Sequence, residues 1–189
     1  MTAPPDLAAP ADEELVAASL HDPESFTAVY DRHYPAVYRY VAGRLGTQAA
    51  DDVAAETFLI AFRRRATFDP VKGALRPWLF GIATTQIGQH RRAETRRYQA
   101  LSRVGAEPDA AGHEERVLAS VTAERLQPKL ARALAKLSRK NRDVVLLSAL
   151  GQLTHEEIAA ALGIPYGTVG SRLSRARRTL RAALGQEGL

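Results

Sequence analysis

No cysteine occurs among the 189 residues, which excludes disulfide frameworks, thiolate metal sites and cysteine nucleophiles. Aromatic residues are scarce at 6% and β-branched runs are short, while Ala, Leu and Arg dominate, a balance that favours helix over sheet. No apolar run approaches the roughly 18 residues needed to cross a bilayer. The opening segment MTAPPDLAAPADEE lacks a basic stretch followed by an apolar one, so it does not read as a secretion signal. A cytoplasmic chain without membrane insertion is expected. His21, His33, His90, His113 and His155 have no metal-ligand spacing, and no Ser/His/Asp set stands out. The sequence therefore predicts no catalytic residues, no metal and no cofactor, and a protein that is not an enzyme.

What charge there is, is segregated. Residues 1–60 carry ten acidic and three basic side chains, whereas residues 61–105 carry two acidic and ten basic. The stretch that follows is acidic, and 124–189 is basic again. Two basic blocks on separate modules suggest two contacts with a polyanion, leaving an acidic face for a basic protein surface.

The periodicity predicts an all-α fold of two small helical domains joined by a flexible linker. The Pro- and Ala-rich first ten residues read as disordered, followed by a short helix from about Asp12 to Leu20. Asp22-Pro23-Glu24 has N-cap and first-turn chemistry. Phe26, Val29, Tyr30, His33, Tyr34, Val37, Tyr38, Val41 and Leu45 then recur at three- and four-residue spacing, an amphipathic helix. Pro35 lies inside this helix, where loss of a donor and ring crowding predict a bend or break. Gly46 stops the helix and Thr47 is expected to cap the next, which runs to about Arg65. Phe68 to Gly73 has loop chemistry. Pro77 sits in the first turn of a long helix that ends in the basic run His90 to Arg97. Val104 to Gly112 lacks periodicity and reads as linker. A second helical block starts near His113, with further helix starts at Pro128 and Ser138. The boundaries are 1–21 for the N-terminal tail and short helix, 22–100 for the first domain, 101–123 for the linker and 124–185 for the second domain.

Residues 153–180 carry a helix-turn-helix pattern. Thr154-His155-Glu156-Glu157 fits a capping box, Ile158, Ala159 and Leu162 form an inward stripe, and Gly163 supplies the turn. Val169, Leu173, Ala176 and Leu180 continue the buried side of the second helix. Its other side presents Thr168, Ser171, Arg172, Arg175, Arg177 and Arg178, residue types that contact base edges and phosphates in a major groove.

The order of the pieces is more specific than any one of them. Asp51-Asp52-Val53-Ala54-Ala55-Glu56-Thr57-Phe58, running on to Phe62, resembles the core-binding helix of bacterial RNA polymerase sigma factors. Phe68-Asp69-Pro70 through Arg76-Pro77-Trp78-Leu79-Phe80-Gly81-Ile82-Ala83 is similar to their melting segment. Gly167-Thr168-Val169 and Ser171 to Arg177 match their C-terminal module. From about residue 22 to 184 the chain resembles the small, two-domain extracytoplasmic-function (ECF) type.

The resemblance implies a promoter-reading subunit, with region 2 at 22–100 and region 4 at 124–185. It implies contacts to the clamp of core RNA polymerase through Asp51, Asp52, Glu56, Thr57 and Phe58, and to its flap. Contacts to the melted −10 strand fall on Phe68, Trp78, Thr85, Gln89, Arg91, Arg92, Arg96 and Arg97, with Arg63, Arg64 and Arg65 extending that basic channel. Helical spacing gives Trp78 a packing role as well, and the loop Phe68 to Gly73 is where a flipped base would be received. The −35 duplex would be read by Thr168, Ser171, Arg172, Arg175 and Arg178. An anti-sigma factor is an expected partner. Thr85 and Gln89 stand where the family commonly has Asn and Asp, and Gly170 where it has Lys or Arg, which bears on promoter choice. The competing reading is an autonomous helix-turn-helix regulator whose N-terminal part dimerises or senses a ligand.

Overall fold

The computed structural model describes residues 10–102 and 128–185. The expected disorder of the first ten residues, but for Pro10, the linker apart from its first two positions and the helix start at His113 lie outside them. Among the described residues there are eight α-helices, two short 3₁₀ turns and no strand.

Helix α1 (Asp12–Ser19) opens with Asp12, Glu13 and Glu14, acids that complement the positive end of the helix dipole. Asp12 ties it to the next helix, accepting from Arg32 at 2.6 Å and lying 2.8 Å from the His33 ring. Asp22 then caps a 3₁₀ turn (Pro23–Ser25) by accepting from the Glu24 amide, as its sequence chemistry predicts.

Helix α2 (Phe26–Leu45) runs through Pro35 without a break. Pro35 is exposed, so the carbonyl it leaves unpaired faces solvent, while Val29, Val37, Tyr40 and Val41 on the opposite side are fully buried. Core packing outweighs one lost backbone bond. Gly46, at φ 81°, ends α2. The expected Thr47 cap is absent: Gly46 itself occupies the cap position, Thr47 is already helical, and no side chain caps α3 (Thr47–Arg64). A positive-φ residue at the junction lets the chain reverse in one residue, leaving no extended position for Thr47.

A second 3₁₀ turn (Arg65–Thr67) and the loop to Ala74 lead into α4 (Leu75–Ser102), with Pro77 in its first turn. Twenty-eight residues give it a length of about 42 Å at 1.5 Å each. Helices α2, α3 and α4 pack together around Tyr40, Val41, Ala54, Phe58, Leu79, Phe80 and Ile87.

The C-terminal half holds α5 (Pro128–Ala135), α6 (Arg139–Ala149), α7 (His155–Leu162) and α8 (Tyr166–Gly185). Ser138 caps α6 by accepting from the Asn141 amide. Arg142 closes the end of α5, donating from Nε to the Leu134 carbonyl and from Nη2 to those of Ala135 and Leu137. Thr154 and Glu157 form the reciprocal capping box, and Gly163 adopts the left-handed conformation at φ 60°. Val144, Leu147, Ile158, Val169, Leu173 and Ala176 bury the inner faces.

The two halves are not independent: their apolar interiors form one continuous core, with α7 lying along α4.

Candidate polymerase and promoter interfaces

Exposed and buried residues separate cleanly around α3. Ala50, Val53, Ala54, Thr57, Phe58 and Ala61 face inward, while Asp51, Asp52, Glu56 and Leu59 face solvent. Asp52, Glu56 and Leu59 share one stripe at helical spacing. Thr57 and Phe58, expected to meet the polymerase, are corrected by the structure: Thr57 is fully buried and donates to the Val53 carbonyl, and Phe58 packs inside beneath Tyr30 and Tyr34. They support the acidic face rather than present it, because the helical period turns them inward.

Beside this face lies an aromatic ladder on α2, where sequence periodicity predicts only an amphipathic helix. Tyr30 stacks on Tyr34 at 4.8 Å, and Tyr34 on Tyr38 at 5.9 Å. Tyr34 donates its hydroxyl to Asp51 Oδ1 at 3.1 Å. Burial, followed by the hydrogen bond and charge of Asp51, pushes the Tyr34 phenol up to about 12. The bond fixes the direction of the Asp51 carboxylate. The signal available in the sequence was the i, i+4 spacing of the three tyrosines.

Around the start of α4, Thr67, Phe68, Asp69, Lys72, Gly73, Ala74 and Trp78 line a cavity of about 250 Å³. Phe68 and Trp78 sit 5.5 Å apart with tilted rings, both half-buried. Asp69 and Lys72 pair at the rim, 2.9 Å apart, each holding the other's charge: the Asp69 carboxyl is lowered and the Lys72 ammonium raised. The remaining wall is Ala160, from α7 of the other half.

Farther along α4, Thr85, Gln89, Arg92, Arg96 and Arg97 are exposed. Arg91 is half-buried, and its Nη2 donates to the Arg44 carbonyl at the end of α2. Arg65 likewise serves the fold: it donates to the Ser19 and Phe62 carbonyls and lies over the Phe62 ring. Arg63 and Arg64 remain on the surface.

On α8, Ser171, Arg175, Arg177 and Arg178 are exposed, and Thr168 and Arg172 are half-buried at the start of the helix. A side chain at Gly170 would meet nothing within 4 Å. Tyr166, 56% exposed, stands at the start of this helix 6.0 Å from the His155 ring. An acidic face, a cavity between aromatics beside a basic helix, and a capped helix-turn-helix with a basic outer face are the parts of a transcription initiation factor.

Comparison with known proteins agrees. Sigma-70 region 2 matches residues 29–97 and Sigma-70, region 4 matches residues 128–180. The ECF RNA polymerase sigma factor SigL of Mycobacterium tuberculosis is 34% identical over 163 residues, covering 86% of this chain and 90% of SigL. SigK, an ECF RNA polymerase sigma factor of Mycobacterium bovis, is 30% identical over 186 residues, covering 97% and 98%. Among solved structures, CnrH in complex with the cytosolic domain of CnrY superposes with a TM-score of 0.63 at 26% identity, over 95% of this chain and 100% of that one. The sigma factor RpoE of Bartonella quintana, solved with the anti-sigma factor NepR, shares the fold with a TM-score of 0.61 at 22% identity, over 87% and 99%.

The chain belongs to the ECF RNA polymerase sigma factors. Its function is to direct core polymerase to promoters, and the autonomous-regulator reading is set aside. No helix of the described residues is long and apolar enough to cross a membrane.

Proposed function

We propose that this sigma factor divides promoter reading between its two halves. Asp51, Asp52 and Glu56, flanked by Leu59 and the tyrosine ladder, dock on the polymerase clamp, a surface of complementary charge. The cavity between Phe68 and Trp78 receives one base flipped from the −10 strand, where stacking is worth about 1–3 kcal/mol. At about 250 Å³ it is smaller than the roughly 300–1,000 Å³ of sites for drug-sized ligands, which suits a single base. Thr85 and Gln89 lie on the exposed side of α4 to meet neighbouring bases, and Arg92, Arg96 and Arg97 run along phosphates.

Helix α8 enters the −35 major groove with Ser171, Arg172, Arg175 and Arg178, and the half-buried Thr168 positions its first turn. The basic outer face of α8, following a first helix capped at both ends by Thr154 and Gly163, is the observation that carries this reading. Each half binds weakly alone, and tethering on one template and one polymerase raises the affinity of both. The chain works in the cytoplasm, carries no catalytic group of its own, and pairs with an anti-sigma factor, as RpoE of Bartonella quintana does in its solved complex.

Run-off transcription from a pooled bacterial promoter library, with core polymerase in the presence and absence of this protein, tests the proposal. Initiation at a defined set of two-element promoters is expected. Footprinting of duplex DNA by the protein alone, with core silent, would overturn it.

A further inference from the structure

A concentration of positive charge lies where α2, α4 and α6 meet, away from the acidic face and from the outer side of α8. Arg44 of α2, Arg91 and Arg92 of α4, and Arg139 and Arg142 of α6 line a cleft of about 30 Å³ together with Ile87 and Gly88. A guanidinium stays protonated throughout the range in which proteins are folded, so these groups cannot shed their mutual repulsion by losing a proton. Asp143 offsets part of the charge, accepting from Arg44 Nη2 at 2.5 Å and lying 4.0 Å from Arg139 Nε.

The inner wall is fixed by bonds to the fold. Arg91 Nη2 donates to the Arg44 carbonyl, and Arg142 donates from Nε and Nη2 to the Leu134, Ala135 and Leu137 carbonyls. Arg44 gives its Nη1 to the Tyr40 hydroxyl and its Nη2 to Asp143.

Two further observations point to a ligand. The Arg44 side chain is 3% exposed, and its Nε is buried with no hydrogen-bond partner, a costly state for a charged donor. Nearer the surface, Arg92 is exposed and makes no hydrogen bond or ion pair among the described residues. Arg139, 55% exposed, comes no closer than 4.0 Å to Asp143, and its Nη2 lies so near Gly88 that a Cβ there would be 2.0 Å away. A water needs about 10–15 Å³, so the cleft takes about two or three oxygen atoms and excludes a nucleobase. Guanidinium forks match the spacing of phosphoryl oxygens.

We propose that this cleft binds a phosphoryl dianion, either inorganic phosphate or the terminal group of a phosphomonoester, through Arg92 and Arg139 at its mouth and Arg44 Nε within. A phosphodiester of nucleic acid offers the same oxygens but a single charge. Five arginines set against one paired carboxylate favour the dianion. The site belongs to the free protein and goes beyond promoter reading: it stands whether or not Arg92 also meets the promoter strand.

Calorimetric titration of the free, full-length chain with inorganic phosphate, at ionic strength held constant with chloride, tests the site. Saturable binding of one phosphate per chain is expected, with dimethyl phosphate, the diester probe, binding about tenfold or more weakly. Arg92→Gln and Arg139→Gln each remove a charged donor at an exposed position, so the fold survives, and each is expected to weaken phosphate binding by about tenfold or more. Gly88→Ala keeps every arginine but displaces the Arg139 guanidinium, and should weaken binding without lowering the phosphate-free Tm. Arg39→Gln removes an exposed arginine of α2 outside the cleft and should leave the affinity unchanged. Absence of saturable binding, or wild-type affinity in Arg92→Gln and Arg139→Gln, overturns the site. So does a loss in Arg39→Gln equal to theirs, which would mean that phosphate senses only the net charge of the chain. Dimethyl phosphate binding as tightly as phosphate overturns the dianion and assigns the cleft to a nucleic-acid backbone.

Discussion

Adding one methyl group at Gly81 tests whether the two halves are packed as described. An ideal Cβ there lies 2.4 Å from the Ala161 carbonyl oxygen and 3.3 Å from its carbonyl carbon. Ordinary carbon–oxygen contacts begin near about 3.3 Å, so α7 must retreat from α4 by about 1 Å. Both partners are backbone in regular helices, and no rotamer change relieves the clash. Overpacking of this kind costs about 1–3 kcal/mol, offset by up to about 1 kcal/mol from replacing glycine in a helix interior. The middle of the resulting range is a net loss of about 1–2 kcal/mol, which lowers Tm by about 2–8 °C for a chain of this size. Gly88→Ala is the matched control, seven residues along the same helix. Its Cβ would meet Arg139 Nη2 at 2.0 Å, the far end of a side chain that is 55% exposed and free to swing aside. The helix gain then dominates, and Tm stays level or rises. Calorimetry on both variants reads the difference. Equal melting of Gly81→Ala and wild type, or parallel behaviour of the two substitutions, would mean that α7 does not lie against α4.

Four further outcomes are expected. Thr154→Ala removes the acceptor for the Glu157 amide, 3.2 Å away, and should cost about 1 kcal/mol in urea unfolding. Asp52→Lys/Glu56→Lys, on exposed positions of α3, should lower holoenzyme formation in a pull-down with core polymerase while changing stability by no more than about 0.5 kcal/mol each. Arg175→Ala should weaken holoenzyme binding to all promoters alike and reduce the salt slope by about 1 if it contacts a phosphate, whereas a change confined to some sequences would mark a base contact. Tyr34 has its folded-state pKa raised to about 12 from 10.0. The fold favours the neutral phenol, so its contribution is complete below pH 10 and is lost as pH rises toward 12. Tyr34→Phe should therefore lose stability less steeply than wild type between pH 10 and 12 in denaturant melts.

Much of the local structure was legible because it is written at short range. The Asp22, Ser138 and Thr154 caps and the Gly163 turn each depend on residues within four positions. The inward stripe of α8 follows from the 3.6-residue period alone. One local rule failed, at Thr47, and of the bend or break expected at Pro35 no break occurs. Pro35 does not break α2, because the buried side of the helix holds it, and Thr47 does not cap α3, because Gly46 takes that place. The carboxylates of the acidic face were legible, but Thr57 and Phe58 were assigned by motif, and the helical period sends them inward.

By itself, then, the sequence determined an all-helical chain, its capped helix-turn-helix, its segregated charge and its resemblance to sigma factors. Each rests on residue type and spacing along the chain, which fix helix phase without reference to any partner. Only the tertiary structure decided that the halves share one core, that Arg44 meets Asp143 across 99 positions, and that Arg65 and Arg91 serve carbonyls of other elements. Those pairings depend on which helix faces cross and how closely glycine lets them approach, and neither periodicity nor charge count along the chain carries that information.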